Sequence, residues 1–357
     1  MGGDNSGAKP CPLAKQAAGS ILATTPLLMI RHIIRHRPLI VASGVAFILL
    51  VDASNQMEVP IRHVPGEIYN RYLSTLRASD APARLLDEAK ADNAQAQYIY
   101  ALRHTHFAPA DLQIEPDSTV AFTWMSKAAA NRHPRAMAVL ALYYLKGIGT
   151  AKDEEKASAW AQKASDKGQP MGTRLLGELR LIEAERLEQQ FKAQHATEDE
   201  SSGSFQIARK AMQARRNEIS KAGFGQIELA AKAGDPPALR LLGKAYEEGH
   251  PGFTQNYRAA MDYYNQAALK RDPLAMQLLA ERYEGGTTTP QSLSSAYAWR
   301  LVIFELSGDD KDRSRLGELK KVMNLAEILA GQEQAQIALR QLPSENDAAL
   351  ARLSQSR

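Results

Sequence analysis

Apolar side chains recur along this chain with the period of an amphipathic helix, and one spacing returns in several segments. An alanine is followed by leucine four residues later, tyrosine eight later and glycine eleven later. The complete series are Ala136-Leu140-Tyr144-Gly147, Ala238-Leu242-Tyr246-Gly249 and Ala275-Leu279-Tyr283-Gly286. These positions share one helix face, and glycine is well suited to end a helix. Degenerate copies begin at Ala96 and Gly172, so the pattern predicts about five such helices.

A second helical pattern follows each of the first, with an alanine at its start and an aromatic residue three positions later. The copies are Ala121-Trp124-Lys127, Ala157-Trp160-Lys163, Ala260-Tyr263-Gln266 and Ala296-Trp299-Val302. All three tryptophans therefore occupy one repeat position. We interpret them, with Tyr144, Tyr246 and Tyr283, as packing between repeats rather than as an aromatic binding ladder.

Proline marks the start of each new repeat. Pro134, Pro170, Pro236 and Pro273 each follow a second helix, and proline is favoured in the first turn of a helix. Asp235 precedes one of these prolines and Asp272 another, and both are good N-cap residues. The pattern therefore predicts that the same turn joins successive repeats.

Most repeats are 36 to 40 residues long, but 66 residues separate Gly172 from Ala238. We assign the excess to residues 181–220 and predict an inserted helical hairpin with a polar tip at 196–204. Pairs at i, i+4 are expected to pack its two arms together, namely Leu187 with Phe191 and Ile207 with Ala211. The acidic tip, Glu198-Asp199-Glu200, makes the hairpin a second candidate docking element.

These patterns resemble the SEL-one-like repeat, a longer relative of the tetratricopeptide repeat. The segments that carry the resemblance are 141–168, 238–249, 264–276 and 298–304, and the match covers about residues 94–305. The resemblance implies an all-α fold, a right-handed α-solenoid of helix pairs, with capping helices expected near 66–77 and 312–342. The departures are the degenerate third repeat, the inserted hairpin and a longer loop at 249–256. The family resemblance also implies a non-catalytic scaffold or adaptor, whose bacterial members are often exported to the envelope.

The chain divides by pattern into five parts. They are a basic leader (1–38), an apolar segment (39–53), a linker with N-terminal capping helices (54–93), the solenoid (94–308) and C-terminal capping helices with a tail (309–357).

The formal net charge of +4 belongs entirely to the leader, because residues 1–38 hold five basic side chains and one acidic one. The rest of the chain is electroneutral, which argues against a nucleic-acid-binding domain. The one cysteine excludes an intramolecular disulfide framework and a cysteine-clustered metal site.

The apolar run at 39–51 follows a basic cluster and leaves three interpretations open. It is an uncleaved membrane anchor, a signal sequence cleaved after Ala53 with translation from Met29, or a buried helix of a cytoplasmic adaptor. The first two place the body outside the inner membrane, in the periplasm of a bacterium. We therefore expect a single-pass inner-membrane protein or a periplasmic one.

No motif for phosphate binding, nucleophilic catalysis or zinc hydrolysis occurs in the sequence. His104 and His106, near Asp111, Glu115 and Asp117, could suggest a metal site, but we interpret this stretch as a surface loop. We expect no enzyme activity, cofactor, metal, nucleic acid or small-molecule substrate.

A partner-binding wall is the main functional prediction. The residues two, six and nine positions after the alanine that begins each repeat pattern form a stripe away from the apolar face. First helices line the concave wall of such solenoids. This stripe is expected to lie outside the core and to bind a partner peptide or helix. Its candidate residues are Leu142, Arg174, Glu178, Arg240, Lys244, Glu247, Gln277, Glu281 and Glu284. The predicted function is a scaffold of an envelope or secretion complex; the alternatives are a regulator of an envelope enzyme or sensor, and the cytoplasmic adaptor.

Overall fold

Thirteen α-helices occupy the part of the chain that the computed structural model describes, residues 82–105, 116–307 and 310–343, and no strand occurs there. Their bounds are α1 Pro82–Lys90, α2 Ala94–Arg103, α3 Ser118–Ala130, α4 Pro134–Lys146, α5 Glu154–Asp166, α6 Pro170–Gln194, α7 Gly203–Lys232, α8 Pro236–Glu248, α9 Tyr257–Leu269, α10 Pro273–Gly285, α11 Leu293–Ser307, α12 Asp310–Lys320 and α13 Leu325–Gln341.

Helices α2 to α11 form five pairs, which we call units 1 to 5, each with a first helix A and a second helix B. The two helices of each pair pack together, each unit packs on the next, and α4 also touches α6 as α8 touches α10. The predicted all-α solenoid of five helix pairs is therefore confirmed. We call the edge that holds the turn from helix A to helix B of each unit the AB edge. The opposite edge, which holds the turn from helix B to helix A of the next unit, is the BA edge.

The ends of the A helices follow from the residues predicted to set them. Gly147, Gly249 and Gly286 end α4, α8 and α10 in the left-handed conformation, with φ of 73°, 69° and 65°. Asp235 and Asp272 accept hydrogen bonds from the backbone N–H of Ala238 and Ala275, as N-caps do. The proline-initiated joint predicted from the sequence is confirmed at all four positions.

The core is built from alanines, larger aliphatic residues and aromatic residues on both the A and the B helices. Ala136, Ala238 and Ala275 are fully buried. Trp124, Trp160 and Trp299 are partly buried and pack against the hydrophobic clusters of the solenoid. The interpretation of the tryptophans as packing residues is confirmed.

Unit 3 differs from the others because its A helix does not stop. The position of the terminating glycine is taken by Glu183, and α6 continues to Gln194 before the chain turns back into α7. At the base of this hairpin a Cβ on Gly177 would lie 2.6 Å from the carbonyl oxygen of Gly223. The two long helices approach this closely because both contact residues lack a side chain. The predicted hairpin is present, and its connection spans 195–202.

The packing face of α7 differs from the predicted one. Ile207 is 74% exposed and Ala211 is exposed, whereas Phe205 is 7% exposed and lies with its ring centroid 5.7 Å from that of Phe191. An i, i+4 pair identifies residues on a common face but does not specify which face meets the other arm. The prediction was correct for Phe191 and wrong for Ile207 and Ala211.

Additional helices flank the solenoid. Helix α1 packs on α2, while α12 and α13 pack on α11. The capping helix expected near 66–77 and the apolar segment 39–53 lie outside the described residues. Within the described ranges, no helix combines the length and the apolar character needed to cross a membrane.

Candidate protein-interaction surface

The candidate stripe lies on four consecutive A helices, and its best-defined contact joins units 3 and 4. Arg174 on α6 donates from Nε to Asp235 Oδ2 at 2.7 Å and from Nη1 to Glu178 Oε1. The same Asp235 oxygen caps α8 by accepting from the Ala238 N–H at 3.0 Å. Arg174 is only 5% exposed, so this ion pair is a buried joint between units.

The electrostatics of this joint favour its charged form. Burial alone lowers the pKa of Arg174, but the carboxylates of Glu178 and Asp235 outweigh it and raise the pKa above its usual value. Because all three side chains are at least partly shielded from water, each charge is compensated by the others rather than by solvent.

The joint between units 4 and 5 repeats the arrangement. Arg240 Nε lies 3.2 Å from Asp272 Oδ1, and that oxygen caps α10 by accepting from the Ala275 N–H at 2.8 Å. The arginine is again the third residue of the repeat, and the aspartate is again the N-cap of the next A helix. Here the arginine side chain is 19% exposed, against 6% for Arg174.

Glu247 joins the same two units at a second point. Its carboxylate accepts from Arg282 Nε on α10 at 2.5 Å and from the Tyr264 hydroxyl on α9 at 2.6 Å. Burial, and then the charge of Glu247, raise the pKa of Tyr264. In unit 5 Glu284 pairs with Arg300 on α11 at 2.5 Å.

Among the other candidate residues, Lys244, Gln277 and Glu281 contact side chains one turn away on their own helices, whereas Leu142 belongs to the packing between units 2 and 3. Lys244 lies 3.7 Å from Glu248 one turn later, and Gln277 donates to Glu281 at 2.8 Å. Burial lowers the pKa of Lys244, although the charge of Glu248 opposes the shift. Leu142 is partly buried and packs against the cluster formed by α4, α5 and α6.

The joint between units 1 and 2 uses neutral groups at the equivalent positions. Tyr98 takes the arginine position and stacks on His133, which takes the N-cap position, with ring centroids 4.5 Å apart. His133 Nδ1 accepts from the Ala136 N–H at 3.1 Å, and Nε2 lies 2.9 Å from Gln95 Oε1. Burial lowers the pKa of His133 to about 4, so the ring is neutral and can act as a cap.

The nine candidate residues lie on four consecutive A helices, and the structure gives several of them a role that the sequence reasoning missed. The expectation that this stripe lies outside the core was wrong for Arg174, because the side chain reaches the next unit and is buried there. A signal was present in the sequence: the two repeats with arginine at the third position, Arg174 and Arg240, are followed by Asp235 and Asp272. Whether the wall binds a partner stays a prediction.

A metal site is not formed in the described ranges, where no group of three histidine, cysteine, aspartate or glutamate side chains could hold an ion. The ring of His104 packs 4.8 Å from that of Tyr100. His106, Asp111 and Glu115 lie outside the described residues.

The repeats also match a known family. The model of the Sel1 repeat matches residues 94–133, 134–169, 236–272 and 273–299. Four segments of the chain are therefore similar to the Sel1 repeat. The matched segments contain units 1, 2 and 4 and most of unit 5, whereas the long pair α6 and α7 of unit 3 lies between them.

Two solved structures are similar to this chain. A Sel1 repeat protein from Oxalobacter formigenes is 20% identical, with 76% of this chain and 96% of that chain covered and a TM-score of 0.42. The protective antigen c5321 of uropathogenic Escherichia coli, which displays an SLR fold, is 19% identical, with 85% and 65% covered and a TM-score of 0.35. No curated protein has a significant match to the sequence. Sel1 repeats generally mediate protein–protein interaction and are typically non-catalytic, which supports a scaffold role.

Proposed function

We propose that this protein is a non-catalytic scaffold of the bacterial cell envelope that binds a partner protein on the A-helix wall of units 2 to 5. The observation that carries the proposal is the chain of contacts that fixes this wall. Arg174 with Asp235, and Arg240 with Asp272, hold consecutive A helices in register. A wall held in this way is preorganised, so less conformational entropy is lost when a partner binds.

The chemistry of the wall changes along its length. At the unit 2 end Ala138 is buried and Leu142 is partly exposed, and at the unit 5 end the wall carries Glu281 and Glu284, the latter paired with Arg300. A complementary partner segment would place an apolar side chain at one end and basic side chains at the other. We propose an extended or helical peptide of this polarity as the occupant.

The residues most suitable for reporting on a partner are those whose side chains contact their own helix. Lys244 contacts Glu248 and Gln277 contacts Glu281, one turn away in each case, whereas changing Arg174 or Arg240 would break a contact between units. A photocrosslinking amino acid at each of Lys244, Gln277 and Glu281 in living cells should capture the same partner. The matched control positions are Asp262 and Gln266, which are exposed on α9.

Capture of one protein from the three wall positions, but not from Asp262 or Gln266, would support the proposal. Equal capture from wall and control positions, or capture from neither, would contradict it. Identification of the captured protein by mass spectrometry distinguishes a structural envelope component from an enzyme or sensor that the solenoid regulates.

The envelope location rests on the sequence of the N-terminal segment. The apolar run 39–51 follows a basic cluster, an order that keeps the N-terminus in the cytoplasm and the body outside. Protease added to spheroplasts should therefore digest the solenoid, while a cytoplasmic control protein stays intact. Protection of the solenoid until the spheroplasts are lysed would support the cytoplasmic adaptor instead.

A further inference from the structure

A basic cleft lies on the BA edge at the joint between units 1 and 2. It is lined by Ala129, Ala130, Arg132, Met137, Trp160, Lys163, Asp166 and Lys167. The alanines, Met137 and Trp160 supply an apolar lining, and Arg132, Lys163 and Lys167 are exposed around it. The cleft thus combines an indole ring with three cations.

The cations of this cleft are available to a ligand. Within the described residues, no carboxylate forms an ion pair with Arg132, Lys163 or Lys167. Lys163 Nζ lies 4.1 Å from the centre of the Trp160 ring, and the one acid, Asp166, accepts from Gln162 at 2.7 Å. The equivalent position before unit 1 is Asp92, whereas the joint between units 4 and 5 again carries an arginine, Arg271.

Arg132 occupies its place at a conformational cost. Its φ is 61°, in the left-handed region, where the equivalent residues of the next three joints are Gly168, Gly234 and Arg271. Because Asp92 and Arg271 also have positive φ, this conformation belongs to the repeat and does not single out Arg132. The exposure of Arg132 beside Lys163 and Lys167 at the rim of the cleft is what points to an anionic ligand.

The same chain carries a matching anionic element at the end of the unit 3 hairpin. Glu198, Asp199 and Glu200 are all exposed in the turn between α6 and α7. Asp199 accepts two hydrogen bonds from Ser201, which lower its pKa and keep it ionised. Helix α6 runs eleven residues beyond Glu183, which lifts this tip about 17 Å past the usual end of an A helix.

The tip and the cleft are on opposite edges of the solenoid. The hairpin extends from the AB edge, where α6 continues outward, whereas the cleft is formed on the BA edge by the turn after α3 and the last turns of α5. One copy therefore cannot place its own tip in its own cleft. Two copies can meet edge to edge without this restriction.

We propose that the acidic hairpin tip of one copy binds in the basic cleft of a second copy. The contact is heterologous, so an open chain of copies keeps a free tip at one end and a free cleft at the other, and association extends beyond a dimer unless a ring closes. The solenoid would in this way form an array that presents several partner-binding walls. Because the contact is electrostatic and exposed, it weakens as ionic strength rises.

The test uses the full chain in mild detergent and measures its sedimentation over a range of concentrations. The wild type is expected to self-associate, and 0.5 M salt is expected to weaken the association. The cleft variant R132E/K163E/K167E and the tip variant E198K/D199K/E200K should each associate at least about tenfold more weakly, because like charges then face each other. Mixing the two variants, or combining both sets in one chain, should restore association because the charges again match.

A matched control reverses three exposed lysines outside the cleft, K90E/K232E/K321E, and should associate as the wild type does. Circular dichroism of every variant verifies that it is folded. A chain that stays monomeric at all concentrations overturns the proposal, as does a cleft variant with unchanged association. If the monomeric chain instead binds a synthetic glutamate-rich peptide through the cleft, the occupant is an acidic segment of another protein, and self-association is excluded.

Discussion

The joints between units 1 and 2 and between units 3 and 4 use the same two positions with different chemistry. The first stacks Tyr98 on His133, which is neutral, and the other pairs Arg174 with Asp235 in a buried ion pair. In both joints the N-cap side chain also accepts a hydrogen bond from the next A helix. The solenoid geometry therefore determines which positions meet, while the residue types determine whether the joint responds to protons or depends on charge compensation.

The largest expected effect comes from breaking the charged joint. Arg174→Met removes the cation that pairs with Asp235 and Glu178 in a buried site, and removal of one member of such a pair typically costs about 3–5 kcal/mol. Urea denaturation monitored by circular dichroism should show a lower midpoint by a corresponding amount. The triple variant R174M/E178Q/D235N should recover much of the loss, because no unpaired charge remains and asparagine can still cap α8.

Arg240→Met provides the internal comparison for this prediction. Asp272 is as deeply buried as Asp235, but Arg240 pairs with this one carboxylate whereas Arg174 pairs with both Asp235 and Glu178, so the loss should be smaller. Equal destabilisation by the two substitutions would contradict the conclusion that the second carboxylate makes the joint between units 3 and 4 different.

The neutral joint should respond to pH. The pKa of His133 is lowered from its ordinary value of 6.5 to about 4, because burial disfavours the charged ring. The folded state thus resists protonation that the unfolded state accepts, and stability is lost as pH falls from 6.5 towards 4. The loss should be about 2 kcal/mol at pH 4, which includes a reduction for partial solvent screening.

His133→Asn provides the control, because asparagine caps helices but does not titrate. The difference in free energy of unfolding between wild type and variant, measured from pH 4 to 7, should shrink or reverse as the pH falls. Parallel stability curves would show that this joint does not sense protons.

The sequence predicted the features that depend on local spacing. The recurring spacing of alanine, leucine, tyrosine and glycine indicates one face of a helix and the residue at which the helix ends. The A helices that end at Gly147, Gly249 and Gly286 could therefore be located from the sequence. Proline and aspartate likewise identified the joints. Each of these signals lies within one repeat, where physical distance follows from separation along the chain.

The missed features depend on residues far apart in the sequence. Arg174 is buried because it reaches Asp235, 61 residues away, across a hairpin whose helix register the sequence did not supply. The close contact of Gly177 with Gly223 brings the hairpin arms together at its base, and on α7 Phe205 faces the other arm while Ile207 faces solvent. The sequence of a single helix does not specify which of its faces meets the other arm of the hairpin.

The smallest effects concern the turns that precede α4 and α6, where Arg132 and Gly168 have φ of 61° and 71°. A Cβ on Gly168 would meet nothing within 4 Å, so Gly168→Ala tests the backbone conformation alone and should destabilise the chain by about 1 kcal/mol. Arg132→Gly should have the opposite sign and stabilise it by up to about 1 kcal/mol, measured by the same urea denaturation.

The free energy of unfolding and the strength of self-association, both measured on Arg132→Gly, separate backbone strain from the function of the arginine charge. If the arginine is kept for its charge at the basic cleft, the variant should be more stable as a monomer and weaker in self-association, because relief of strain removes one of the three cations. A variant that gains stability and still associates normally would show that the strain at Arg132 does not serve the cleft. A variant that gains no stability would show that the left-handed turn tolerates arginine at this joint as well as it tolerates glycine at the next.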